Sequence, residues 1–530
     1  MLLRFSLLAF IAVFLSSCSG NSTKAKQQDD FLQVDGQAIV DGQGRQVILS
    51  GINFISKNPE EKYMPPQGEE IFKKFKEWGF NCIRLGIIWD GLEPEPGKYN
   101  EEYLQEIDKR IQWAKDNDIY VFLDMHQDLF SAKYADGAPE WATLDEGKPH
   151  YKGEVWSDSY LISPAVQTAF DNFWANAPAS DSIGVQDHYA NLWRHIAERY
   201  AQNTTVIGYD IMNEPFMGSE AQRVMPMMLT SFARVYAEST GNMPPSAEEL
   251  EAMWGATDSR MEALKIISSR DKFAAVVDAA SDISTIFETQ KLQPFYQKVA
   301  DAIREVDAKH ILFLNHNYFV NMGVRTALEP LTLADGNRDS QVLYAAHGYD
   351  LVVDTKEVEN PSYERVEFIF DRIAEGGKRL DMPVLVGEWG ALFGKSEKVV
   401  ETARQLVRIM EKHHFSNTYW SFYNDMDKDS YFMNALVRPY PQRVSGKLLD
   451  YHFDFETGEF TCSWEENDSS KEPTVIFVPN LKVLSEDLIK TGLKGKLVDF
   501  EYCEAAGAGA ILVGASGNSG KQEIKINLKQ

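Results

Sequence analysis

Cysteine is scarce in this chain of 530 residues, with four in all, at positions 18, 82, 462 and 503. A fold stapled by several disulfides is therefore excluded; Cys82 reads as a small buried hydrophobe, and only Cys462 and Cys503 lie close enough in sequence to raise the question of a bridge, which spacing alone does not establish. Basic charge is also short. Against 79 Asp and Glu stand 53 Lys and Arg, a net charge of -26, which argues against nucleic acid or an anionic membrane face as partner. No His/Cys set has metal-ligand spacing, so neither a metal nor another cofactor is expected. Repeats and low-complexity tracts are missing. No apolar run is long enough to span a bilayer as a stable helix.

What is present begins with an export signal: Arg4, then the largely apolar run from Phe5 to Leu15. The run ends in Leu15-Ser-Ser-Cys18, a pattern that resembles the bacterial lipoprotein signal, in which the cysteine becomes the lipidated first residue. The expected organisation is a leader over 1–17, a flexible tether over 18–30, and a protein anchored at the cell envelope through Cys18. An ordinary signal peptide with an incidental cysteine is the alternative.

From residue 31 onward the chain alternates. A short hairpin, with turns at Val34-Asp-Gly36 and Val40-Asp-Gly42, leads to a first strand over 47–54. Strands are then expected over 81–89, 119–125, 206–212, 310–314, 342–346, 383–387 and 418–421. Helical patterns lie between them, for example over 68–78, 101–117 and 187–201. Eight strands alternating with helices make a (β/α)8 barrel, an α/β fold, over 31–440. Beyond about residue 441 the helices stop. Short β candidates at 451–455, 474–478, 497–503, 510–513 and 523–528 read as an antiparallel β-sandwich.

Two strand ends carry the chemistry. Val206-Ile-Gly-Tyr-Asp-Ile-Met212 is a buried-strand pattern that stops at Asn213-Glu214-Pro215, where the proline is expected to hold Glu214 extended. Met382-Pro-Val-Leu-Val-Gly-Glu-Trp-Gly390 repeats the design with Glu388 at its end. Two carboxyl groups at the C-terminal mouth of a barrel are what glycoside hydrolysis needs, one to protonate the leaving oxygen and one to attack or to activate water. Both stretches resemble the acid/base and nucleophile motifs of glycoside hydrolase family 5. Arg84 falls where that family carries an arginine beside the nucleophile.

The resemblance narrows to one branch of the family, the endoglycoceramidases. It rests on Asp124-Met-His-Gln-Asp128, Gly137-Ala-Pro-Glu-Trp-Ala-Thr143, Phe170-Asp-Asn-Phe-Trp174, Tyr209 to Phe216 and Val437-Arg-Pro-Tyr-Pro441, which occur in family order. It implies Glu214 as acid/base, Glu388 as nucleophile, and His347 and Tyr349 beside the nucleophile. It further implies that Asn213 bonds the sugar 2-hydroxyl, that Lys57, His126 and Asp128 hold other hydroxyls, and that Trp420 is the stacking platform. The implied reaction is retaining hydrolysis between the oligosaccharide and ceramide of a glycosphingolipid, without a cofactor. A family-5 enzyme acting on plant glucan or steryl glucoside, and a non-catalytic glycan-binding lipoprotein, remain as alternatives. One segment departs from the pattern. A mostly helical insert over about 218–292, with the methionine-rich Val224 to Phe232, either receives a lipid or packs the insert onto the barrel.

Overall fold

The computed structural model of the chain describes residues 30–355, 357–392, 397–467, 469–484, 498–503 and 507–528. The leader and Cys18 lie outside the described residues. Eight parallel strands close a barrel: β1 (Ser50–Phe54), β2 (Cys82–Ile88), β3 (Tyr120–His126), β4 (Val206–Asp210), β5 (Ile311–Asn315), β6 (Val342–Gly348), β7 (Val384–Trp389) and β8 (Ser416–Tyr419). Every expected strand is present, displaced by at most a few residues at its ends.

Period-2 alternation explains how one barrel is both core and site. On β3, Val121, Leu123 and Met125 join the large cluster beneath the outer helices, whereas Tyr120 and Phe122 join a separate inner one. The inner layer also holds Cys82, Phe313, Leu343 and Leu385, and the rings of Phe122 and Phe313 stack at 4.5 Å. One step of two residues further along the same strands, the inward positions become Arg84 and Asp124, and another step reaches His126. The barrel's floor is apolar and its mouth is charged.

The hairpin before β1 does not belong to the barrel wall. Gln33–Asp35, Ala38–Val40 and Gln46–Val47 continue through Tyr440–Val444, Thr474–Val478, Gly509–Val513 and Val498–Tyr502 as one seven-stranded antiparallel sheet. A three-stranded sheet of Lys447–Asp454, Glu459–Glu466 and Gly520–Asn527 packs on it. Tyr451, Phe460, Trp464, Ile476, Ile511 and Val513 share the core between the two sheets, an antiparallel sandwich as expected. The strand Glu459–Glu466 is additional to the expected ones; its alternating buried Phe460, Cys462 and Trp464 carry the strand period among polar neighbours. Cys462 and Cys503 are both free thiols.

Between β4 and β5 the insert is helical: Ala221–Thr240, Ala247–Gly255, Thr257–Ile266, Arg270–Val277 and Ser281–Phe287. Ser246 and Glu249 form a reciprocal capping box at the start of the second of these helices. Among the described residues, no helix is long and apolar enough to cross a membrane.

Candidate active site

Arg84, on β2 and fully buried, organises the floor of the site. Its guanidinium donates to Glu388 Oε1 at 2.6 Å, to Asp210 Oδ2 at 3.0 Å, to Asn53 Oδ1 at 3.0 Å and to Asn213 Oδ1 at 2.9 Å. Asp124 Oδ1 lies 2.9 Å away. Three carboxyl groups, from β3, β4 and β7, thus share one cation. Burial, reinforced by Asp124, pushes Asp210 up to about 7 despite Arg84.

Glu388 reaches the mouth through an irregularity. By alternation with Val386, which packs outward, it would also face the helices. The β6–β7 register shifts between Val386 and Glu388, and Glu388 then pairs with His347. Such a bulge re-aims one side chain. Gly387 occupies it, where an added Cβ would come 3.1 Å from His347 Nε2. Tyr349 donates its hydroxyl to Glu388 Oε2 at 3.1 Å.

Glu214 follows β4. Its backbone has φ +42°, not the extended conformation expected ahead of Pro215. Gln127 donates Nε2 to the carbonyls of both Asn213 (2.9 Å) and Glu214 (3.1 Å), clamping this strained peptide. His347 Nδ1 lies 2.9 Å from Glu214 Oε1 and 3.6 Å from Glu388 Oε2. The histidine expected beside Glu388 thus stands next to it and meets Glu214 more closely. Burial, then the Asp128 charge, raises Glu214 to about 7, which keeps it protonated as an acid requires near neutral pH. Burial also lowers His347 to about 3, so its ring is neutral.

The residues expected to face the sugar converge at one side. Lys57 forms an ion pair with Asp128, lies 3.7 Å from Asp136 and sits over the Trp420 ring at 4.7 Å. Trp420 stacks on His126 at 5.2 Å. Burial opposes a charge on His126, but Asp124 and Asp128 outweigh it and raise the ring to about 10. Asn213 is committed on both ends, accepting from Arg84 and donating to the Gln127 carbonyl at 3.1 Å. All ten described candidate residues thus stand in one place. The sequence motifs assign no role to Asp124, Asp210 or Asp136. The first shares a strand face with His126 two residues away, a signal that was available; the other two carry no local mark.

His126, Asp128 and Asp136, and likewise Glu214, His347 and Glu388, are grouped closely enough to suit a cation. The first group already faces the ammonium of Lys57. The second contains the two glutamates expected to react, with one oxygen of Glu214 within 4.8 Å of one of Glu388. Retaining glycosidases hold their carboxyl groups about 5–5.5 Å apart, inverting ones about 6.5–9.5 Å to admit water.

Both glutamates open into one cavity of about 1050 Å³. Lys57, His126, Asp128 and Trp420 line its polar part; Met225, Met228, Phe232, Trp254, Phe273 and Tyr318 line the rest. The methionine-rich segment both packs and lines. Met228 is 8% exposed and faces the cavity, whereas Met227 is 40% exposed and does not.

A closed parallel barrel with two adjacent carboxyl groups at its mouth, one paired with a buried guanidinium and the other held protonated, defines a retaining glycoside hydrolase. Residues 40–426 match the cellulase family (glycosyl hydrolase family 5) and residues 438–526 the glycoside hydrolase family 5 C-terminal domain. The chain belongs to glycoside hydrolase family 5. It is 25% identical to an endoglycoceramidase of Hydra vulgaris, over 88% of this chain and 83% of that one. It is 24% identical to endoglycoceramidase I of Rhodococcus hoagii (strain 103S), over 94% and 88%. The structure of endo-glycoceramidase II from Rhodococcus sp. in its ganglioside GM3 complex superposes with TM-score 0.69 at 22% identity, covering 93% of this chain and 99% of that one.

Proposed function

We propose that this protein is a retaining endo-β-glycosidase that cuts glycosphingolipids between the oligosaccharide and ceramide. One observation carries the reading: a single cavity runs from charged and stacking side chains suited to a sugar, past Glu214 and Glu388, to an apolar chamber walled by the insert. A glycolipid has that polarity along its length, with the scissile bond at the change. The relatives named endoglycoceramidases match along most of the chain and support the same substrate class.

In the first half-reaction Glu214 gives its proton to the departing oxygen as Glu388 bonds the anomeric carbon. In the second, Glu214 takes a proton from water, which displaces Glu388 and restores the sugar's configuration. Arg84 and Tyr349 orient the attacking carboxylate. His126, Asp128, Lys57 and Trp420 hold the sugar.

The test is incubation of the purified protein with lactosylceramide or GM3 and mass spectrometry of the products. Intact oligosaccharide and ceramide are expected. Release of single sugars, or turnover confined to steryl glucoside or glucan, would refute the ceramide assignment. Residues 1–18 support export and lipid anchoring at the bacterial cell envelope, through a thioether on Cys18. A Cys18→Ser protein should leave the membrane fraction with its specific activity intact, and unchanged partition would exclude this anchor.

A further inference from the structure

The acid/base carboxyl is gripped from an element that none of the motifs includes. Asn321 lies in the short 3-10 turn Tyr318–Met322 that follows β5. It donates Nδ2 to Glu214 Oε1 at 2.7 Å. His347 Nδ1 meets the same oxygen, and Asn315 Nδ2, donating to His347 Nε2 at 2.9 Å, leaves the ring proton on Nδ1, aimed at Glu214. One oxygen of Glu214 therefore faces two donors.

Asn321 is itself oriented by a buried chain. Its Oδ1 lies 2.8 Å from His316 Nε2, and His316 Nδ1 lies 2.5 Å from the Tyr344 hydroxyl. Both His316 and Tyr344 are fully buried. His316 Nε2 also lies 3.3 Å from the backbone N–H of His347, and the Asn321 amide bridges from this ring to Glu214 with its Nδ2 on the carboxyl. The Asn321 carbonyl also accepts the backbone N–H of Tyr349 at 3.2 Å, joining this chain to the segment that bonds the nucleophile.

We propose that Asn321 is the positioning residue of the acid/base, committing Glu214 Oε1 to accept hydrogen bonds and so making Oε2 the oxygen that donates and recovers the proton. The inference rests on the retaining glycosidase reading. In glycosylation the Oε2–H bond breaks and its proton goes to the departing oxygen, which also takes the electron pair of the broken C–O bond; Glu388 supplies the pair for the new bond to carbon. In deglycosylation the attacking water returns a proton to Oε2.

Other charged and titratable groups bear on Glu214. Arg84 stands on β2, His126 and Asp128 at the end of β3, and Lys57 beyond β1. His347 and Glu388 face it from β6 and β7, and the phenols of Tyr318 and Tyr349 lie near. All of them persist in an Asn321 variant, which isolates the amide.

Asn321→Leu removes a donor to the ionised carboxylate, so Glu214 should titrate higher, by roughly one pH unit. The alkaline limb of kcat/KM on aryl β-glycosides should move up accordingly. Poor leaving groups should lose at least about tenfold, and dinitrophenolate little, because only the former need a well-placed proton. Tyr344→Phe, which touches neither Glu214 nor Asn321, should shift the limb in the same direction by less, and it serves if Asn321→Leu fails to fold. The titration can also be followed without turnover, as the pH at which the stabilisation gained by adding Glu214→Gln levels off in each background. An unmoved titration with equal losses on both leaving groups overturns the role of Asn321. A wild-type protein inactive on every glycoside overturns the functional reading instead, while the stability measurement still decides on Asn321.

Discussion

Replacing Glu214 by Gln should stabilise the protein while removing its activity, and the gain should depend on pH. Glu214 is 5% exposed, and burial raises its carboxyl from an ordinary 4.5 to about 7. Below pH 4.5 both folded and unfolded forms are protonated and the group contributes nothing to pH dependence. Between 4.5 and 7 the unfolded chain ionises and the folded one does not, so stability falls as pH rises. Above 7 the loss is complete. At about 1.4 kcal/mol for each pH unit of displacement, it amounts to ~3 kcal/mol. Glutamine keeps the oxygen that accepts from Asn321 and His347 but cannot ionise. Urea unfolding of wild type and Glu214→Gln should therefore coincide near pH 4.5 and diverge by about 2–3 kcal/mol at pH 8, with the variant the more stable. The same titration predicts that wild-type activity declines above about pH 7, as the acid is lost. A stability difference that is constant with pH, or a variant less stable at pH 8, would refute the claim that this carboxyl is held protonated by the fold.

Arg84→Met should destabilise the protein by about 3–5 kcal/mol in the same assay, because Glu388, Asp124 and Asp210 would lose their shared buried cation; a loss below 1 kcal/mol would show that the cation is dispensable. Wild-type protein treated with a slow fluorosugar should gain the mass of one glycosyl group on a peptide containing Glu388, and Glu388→Gln should not; labelling elsewhere would reassign the nucleophile. Met228→Gln should lower activity on long-chain glycosylceramide several-fold and leave a soluble aryl glycoside unaffected, since Met228 faces the apolar chamber. Equal loss on both substrates would make the segment packing alone.

The eight barrel strands and the strand-end placement of Glu214 and Glu388 were legible because their signals are local. Each strand is a short apolar run, and each glutamate stands where such a run stops, as in Met212-Asn-Glu-Pro215 and Val386-Gly-Glu388. The helical character of the insert was legible too, from its composition. The orientation of Glu214 was not. Proline chemistry favours an extended residue before Pro215, yet Gln127, some 86 residues earlier in the chain, holds both adjoining carbonyls and imposes φ +42°. Likewise the methionines of the insert could be recognised as apolar, but which of them faces the cavity depended on how the helix Ala221–Thr240 settled on the barrel.

By itself, then, the sequence determined the repeating β/α order, the two carboxyl groups at strand ends and the apolar floor beneath them, all consequences of alternation within a few residues. Closure of the barrel decided the rest. It brought Arg84 of β2 against carboxyl groups of β3, β4 and β7, and set Asn321 against Glu214 across 107 positions. It also placed a bulge at Gly387 where Glu388 must turn inward to meet His347. These pairings arise because strands far apart in sequence become neighbours around a ring, and buried charges there remain only where such a neighbour compensates them.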